Sequence, residues 1–470
     1  MKKTSYGIFI GAFLVLCLIP FVCMIFAKSD ETIGNEMEVS APSFQTEENR
    51  FNFEILEDTG TWFEHHFAFR PQLITADAKI QKSLFGVSNT ETVVTGTDGW
   101  LYYSSTLNDF LGREQLSERG MFNLAHNVSL LQKYAEGQGA KFLFMVAPNK
   151  NTLYGDNMPY YEVKTEDVVR NRDRLKTALE DAGVHYLDLF ALFEKQEETL
   201  YLKQDSHWNN KGALMVYNEA LSAIGKDHET YADTEVTEEN VHAGDLSAMI
   251  YPASDEKERD FVYHYEPSFV YLGDDNKPSD TVTVEDGHIR SMRGSAADSL
   301  VMYRDSFGNT LIPFFADAYQ SAYYSKGVPY NLALDMEQHH PDHVICEKVE
   351  RNVSDFAKEP GVIPAPAAMR SQLSLVAVED AEVKVEPCET NASYVRFSGE
   401  MPDGFSEDPD VRFYLGIKDA SGAEMLYEMF TVCTEESDYG YLAFLPLARF
   451  GSIESIDKNS LNVYTVSAEK

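Results

Sequence analysis

Hydrophobic and polar positions alternate along this chain in two distinct regimes. Lys141-Phe-Leu-Phe-Met-Val-Ala147 is a continuous apolar run bounded by Gly139 and Pro148, which predicts a strand buried on both faces, as in a parallel sheet. An amphipathic helix is expected before it, from Asn123 to Gln138, and another after it, from Val168 to Ala182. The next strand is His185-Tyr-Leu-Asp-Leu189. Val301-Met-Tyr303 reads as the end of a buried strand, and Asn309 to Ala316 as an apolar helix with an early proline, which helix starts tolerate. Such helix–strand alternation predicts an α/β domain with helices on both faces of a parallel sheet. Upstream, residues 51–90 carry helical amphipathic segments, and Thr97-Asp-Gly-Trp100 is a turn between two β-rich pieces.

The second regime begins after Pro360, Pro364 and Pro366. Short alternating runs at 394–398, 411–417, 441–445 and 461–465, separated by Gly, Asp and Ser turns, predict a small β-sandwich. At the other end, Lys2 and Lys3 precede a mainly apolar run from Tyr6 to Ala27, long enough for a roughly 30 Å hydrocarbon core. It stops at Lys28-Ser-Asp-Glu31 with no small-x-small cleavage site, and the lysines at its short end place the body outside the cytoplasm. The expected organisation is an anchor or uncleaved signal at 1–27, a polar tether at 28–50, an α/β domain at 51–355, a linker at 356–380 and the β-sandwich at 381–470.

With 470 residues, the chain has length for two or three domains. Its net charge of -37 repels phosphate backbones and excludes nucleic-acid binding. Cys346, Cys388 and Cys433 lie outside the apolar segment, an odd number that cannot form a fully paired framework, although Cys388 and Cys433 could pair. His339, His340 and His343 suit a turn before a strand better than a metal site. No nucleotide fingerprint or P-loop is present, so no cofactor is expected.

The chemistry concentrates in Asp205-Ser-His-Trp208 and Arg304-Asp-Ser-Phe307. An Asp two residues before a His can accept an imidazole N–H while the other ring nitrogen faces a hydroxyl. Asp205, His207 and Ser306 are therefore candidates for orienter, general base and nucleophile of a hydrolase-type triad. The competing reading is plain: Asp-x-His pairs arise by chance or cap helices, and Asp-Ser-Phe is three common residues. The strand–helix setting of Ser306 favours chemistry, because backbone N–H groups at such a turn can stabilise an oxyanion. Lys150, just past the 141–147 strand, is either a substrate contact or a surface lysine. Trp208 is expected to pack beneath His207.

Several ordered blocks carry a family resemblance. Trp62–Arg70, Ser83–Gly86, Val93–Tyr103, Ala147–Tyr154, Asp205–Trp208 continuing to Ala213, Gly244-Asp-Leu246 and Pro341–Ile345 through Glu350-Arg351 together resemble the SGNH-hydrolase-like proteins related to the alginate O-acetyltransferases AlgX and AlgJ. Within them the chain is most similar to the Gram-positive Asp-His-His-Trp set, with Ser206 in place of the first His. The resemblance covers roughly 50–355 and implies a three-layer SGNH-type sandwich with Asp and His ahead of the nucleophile. It further implies an O-acetyltransferase acting on a cell-surface or secreted polysaccharide, with acetyl groups supplied by a multi-spanning membrane acyltransferase. An acetyl esterase of the same fold and a non-catalytic scaffold remain open. Arg304 stands where SGNH esterases carry Gly before Asp-Ser, so it either steadies an anionic transition state or pairs with an acidic neighbour.

Overall fold

In the computed structural model, residues 2–24, 26, 33, 39–46, 50–159, 168–402, 405, 408–418 and 423–467 are described. The helices Ile55–His66 and Arg70–Phe85 come first, then a hairpin of β1 (Val93–Thr95) and β2 (Leu101–Tyr103), whose turn holds Asp98 and Gly99 at positive φ. The α/β unit follows from β3 (Lys141–Ala147) and β4 (Tyr186–Leu187). A second hairpin, β5 (Val236–His242) and β6 (Glu258–Tyr263), stands outside the main sheet. The sheet is completed by β7 (Val270–Leu272), β8 (His288–Met292), β9 (Ser299–Tyr303), β10 (Ser321–Ser325) and β11 (His343–Val349), in the order β4-β3-β11-β9-β10-β8-β7. From β4 to β10 neighbouring strands are parallel; β8 and β7 extend that edge antiparallel.

The sheet has a core on each face, which is why its central strands read as unbroken apolar runs. Phe142, Phe144 and Val146 of β3 join Val301, Tyr303, Val344 and Cys346 in the layer under the helices Glu118–Gly137 and Asn171–Asp181. Leu143, Met145 and Ala147 join Leu300, Met302 and Ile345 under Asn210–Ile224 and Ile312–Ala318. Period-two alternation thus sends residues to two dry layers, not to one dry and one wet face.

The β-sandwich pairs β12 (Ala367–Ala368), β13 (Val376–Ala377), β16 (Arg412–Lys418), β17 (Glu424–Glu428) and β20 (Leu461–Val466) in one sheet. The other holds β14 (Lys384–Pro387), β15 (Tyr394–Glu400), β18 (Phe430–Val432) and β19 (Gly440–Pro446). The expected linker 356–380 contributes the edge strands β12 and β13. Tyr441, Ala443 and Leu445 of β19 face the sandwich core, whereas Leu442 and Phe444 join the α/β core across the seam.

Several local expectations change. Cys346, Cys388 and Cys433 are all free and buried, so the possible Cys388–Cys433 pair does not form. His339 stacks on Tyr323, His340 closes its helix at positive φ, and His343 meets the Tyr319 hydroxyl at 3.0 Å. A helix forms at Lys2–Cys23, and Tyr6–Val15 along it are exposed. Among the described residues, however, no helix is long and apolar enough to cross a membrane, so the spanning role expected of 6–27 is not shown by the fold. Most of the expected tether 28–50 lies outside the described residues.

Candidate active site

Asp205 and His207 sit on a tight loop that closes on itself. Leu202 N–H donates to His207 O at 3.2 Å, and Asn209 N–H to Leu200 O at 2.9 Å. Lys150 fastens the loop from below: its ammonium donates to the carbonyls of Leu202, Lys203 and Asp205 at 3.1, 3.0 and 2.5 Å. It is buried, and burial pushes its pKa down to about 8. Lys150 is therefore neither a substrate contact nor a surface lysine. Gly244 lets the next segment approach, since a Cβ there would lie 2.3 Å from Gln204 O. After the loop, Asn209 caps the helix Asn210–Ile224 by accepting from Gly212 N–H at 2.9 Å.

Asp205 Oδ1 accepts from both the backbone N–H and the Nδ1–H of His207, at 2.9 and 2.7 Å. Its Oδ2 accepts from His242 Nε2 and from Asp245 N–H, each at 2.9 Å. With Nδ1 carrying the proton toward the carboxylate, His207 Nε2 is the acceptor, and it lies 2.8 Å from Ser306 Oγ. The three residues predicted from sequence are thus brought into one relay. Ser206, at the variant position, donates its hydroxyl to Asp245 Oδ2 at 2.5 Å.

Ser306 is held from both sides. Asp305 accepts from Phe307 N–H at 2.9 Å and from Val349 N–H at 2.6 Å, tying the serine turn to the end of β11. The serine opens a short 3-10 turn, Ser306–Thr310, and the helix with its early proline begins only at Ile312. Because Phe307 N–H is engaged by Asp305, that amide is not aimed at an oxyanion. Arg304 turns away altogether: it is 1% exposed, donates to Asn309 and to the carbonyls of Val284 and Asp286 (3.1 and 2.7 Å), and packs over Gly308, where a Cβ would lie 2.7 Å from its own. It is an architectural cation. Arg351 is the one beside the site, 5.8 Å from the Phe307 ring and close enough to oppose protonation of His207 without outweighing Asp205. Its partner is Asn149 Oδ1 at 3.4 Å.

Trp208 acts one layer deeper than expected. Its ring meets Phe307 edge-on at 5.0 Å and its N–H donates to Thr310 at 2.7 Å, while Phe307 itself packs against His207 at 4.7 Å.

Electrostatics divide the buried acids. Burial opposes charge on Asp205, but His207 and His242 outweigh it and hold the carboxyl well below its usual range. Burial likewise opposes protonation of His207, yet Asp205 prevails and its pKa is raised. Glu347, which accepts from Asp305 N–H at 3.1 Å, goes the other way: burial and the Asp305 charge push its pKa well up. A hydroxyl, an accepting imidazole nitrogen and an ionised carboxylate in series can remove a proton from the serine and stabilise the imidazolium that results.

Sequence reading missed His242, Asp245 and the Asn149–Arg351 pair as parts of this site. Gly244-Asp-Leu246, Ala147-Pro-Asn and Glu350-Arg351 stood out only as blocks without roles, and nothing local marked His242.

Residues 93–275 match the SGNH hydrolase-like domain of the acetyltransferase AlgX. That stretch contains Asp205, His207 and His242 but ends before Ser306, so the serine is placed by geometry. No curated protein matches the sequence. Among solved structures, Bacillus cereus PatB1 aligns at 15% identity and TM-score 0.45 over 56% of this chain and 98% of its own. A DHHW family protein from Eubacterium siraeum aligns at 15% and 0.42 over 57% and 93%. Pseudomonas aeruginosa AlgX aligns at 13% and 0.37 over 81% and 93%.

Proposed function

We propose that this chain is an extracytoplasmic O-acetyltransferase that modifies a cell-surface or secreted polysaccharide through a serine acyl-enzyme. The observation that carries the proposal is the relay itself, 2.7 Å from Asp205 to His207 and 2.8 Å from His207 to Ser306. The match to an acetyltransferase domain supports the acyl group. His207 takes the Ser306 proton as Oγ attacks the acetyl carbonyl, then returns it to the departing donor group, leaving acetyl-Ser306. A sugar hydroxyl repeats the sequence in reverse: His207 removes its proton, the new ester forms, and Ser306 regains its hydrogen. Asp205 fixes the tautomer throughout.

Acetyl groups would come from a multi-spanning membrane acyltransferase, with the apolar segment 6–27 holding the chain at the outer face as a single-pass anchor. The full-length chain should fractionate with membranes; recovery of a soluble protein beginning near residue 28 would make the segment a signal peptide. The test of activity is release of chromophore from an activated acetyl ester, with and without an oligosaccharide acceptor. Transfer predicts acetylated oligosaccharide. Free acetate alone in both arms would make the protein an esterase, and no turnover in either would leave the scaffold reading.

A further inference from the structure

Asp205 serves two histidines. His242 ends β5, and the β5–β6 register shifts between Asn240 and His242, so that Val241 is the extra residue and His242 pairs with Glu258. A bulge re-aims the side chain beyond it. Here the re-aimed ring delivers Nε2 to Asp205 Oδ2 at 2.9 Å, the oxygen His207 does not use. The other nitrogen faces Asp260 Oδ2 at 3.9 Å. Asp260 is buried and already fixed by the N–H groups of Asn210 and Phe261, while Glu258 accepts from Lys203 and Gln204 N–H. The charged groups around His242 are therefore Asp205, Asp260 and Glu258, with Asp245 and the Lys150 ammonium on the far side of Asp205.

We propose that His242 is a positioning residue for the acyl-transfer reaction, donating its Nε2–H to Asp205 so that the carboxylate is held in the plane of His207 and divides its charge between two rings. The proposal rests on the Ser306–His207–Asp205 reading. A carboxylate shared in this way orients the base and pulls less strongly on its proton than one facing a single imidazole. Surrounding acids keep His242 able to carry charge: burial opposes its protonation, but Asp205, Asp260 and Glu258 outweigh burial and raise its pKa. A cation on Oδ2 opposes the imidazolium on Oδ1, which keeps His207 available as a base at lower pH.

The test is the pH profile of acetyl-ester turnover by the full-length chain, with His242→Gln, His242→Ala and Ser306→Ala run beside wild type and each unfolding midpoint measured. Gln preserves an N–H for Asp205 but cannot become a cation. It should keep kcat within about threefold and move the acid limb of kcat/KM to higher pH by about half a unit or more. Ala removes the donor and should lower kcat by about tenfold with little change in KM, as expected for loss of a hydrogen bond to a charged group. The proposal is overturned if both variants keep the wild-type kcat and acid limb, or if both lose activity alike with the limb unmoved. Wild-type turnover that survives Ser306→Ala would instead remove the triad reading, and this proposal with it.

Discussion

Two buried polar networks in this molecule use similar residues to different ends. At the loop ends of the sheet, Asp205, His207, His242 and Ser306 bond to one another. In the seam against the β-sandwich, Arg119 donates to the carbonyls of Pro409 and Val411 at 2.8 and 2.5 Å, among the rings of Phe122, Phe413 and Tyr439. Asn127 gives its amide to Phe356 and Thr431 carbonyls at 2.8 Å and accepts Thr431 N–H at 3.0 Å. Arg119 and Asn127 end on peptide groups, which do not titrate, so these bonds do not depend on a neighbour's protonation. The site's side chains end on groups that can gain or lose a proton, so each sets the state of the next. Burial moves Arg119 down to about 10, which still leaves it charged at neutral pH. In the site, burial pushes Glu347 up, while His207 and His242 outweigh burial at Asp205 and hold it down.

The comparison breaks most readily at the relay. Ser306→Ala and His207→Ala should each cut acetyl-ester turnover by at least about a thousandfold, because nucleophile and base act as a unit. Asp205→Asn should cost about a hundredfold, since the amide favours the wrong imidazole tautomer. Unfolding midpoints close to wild type would show that chemistry, not folding, was lost. Full turnover in any of the three would make this network no different from the seam.

Arg119→Ala should do the reverse. Stability should fall by about 3 kcal/mol, read by denaturant or thermal unfolding, because buried carbonyls lose their charged donor. Turnover per folded molecule should be unchanged. An inactive variant with an unaltered midpoint would join the two regions functionally.

The smallest effect sharpens the boundary between them. Glu350, which accepts from Asn149 N–H at 2.8 Å, is pushed up to about 8 by burial and by Asp109. A carboxyl raised in the folded state contributes stability that is fully present below its ordinary pKa and is lost as pH rises through about 8. Glu350→Gln should therefore gain on wild type as pH rises from 5 to 8. A gap independent of pH would show that Glu350 is ionised throughout.

What the sequence made legible follows from how local each cause is. β3 could be bounded at Lys141 and Ala147 because both its faces are dry and Gly139 and Pro148 flank it. The Asp205–His207 bond was legible because two-residue spacing lets one loop supply both partners. The helix expected from Asn123 begins at Glu118: Arg119 and Gly120 look like solvent-facing residues until the sandwich covers them, although Ser117, which accepts from Gly120 N–H at 2.9 Å, was a readable cap. Asn127, part of an Asn-Val-Ser sequon, is buried for the same reason. Arg304 depends on carbonyls at 284 and 286, and His242 on a bulge in a separate hairpin. Pairings made across the chain leave no periodic signal.

The most direct measurement of the central claim is the mass of the intact full-length protein after brief exposure to an activated acetyl ester and acid quench, followed by peptide mapping. The account predicts a gain of one acetyl group carried on Ser306, removed when an oligosaccharide acceptor is added before the quench, and absent from Ser306→Ala. Acetyl found only on lysines, equally in wild type and Ser306→Ala, would contradict it.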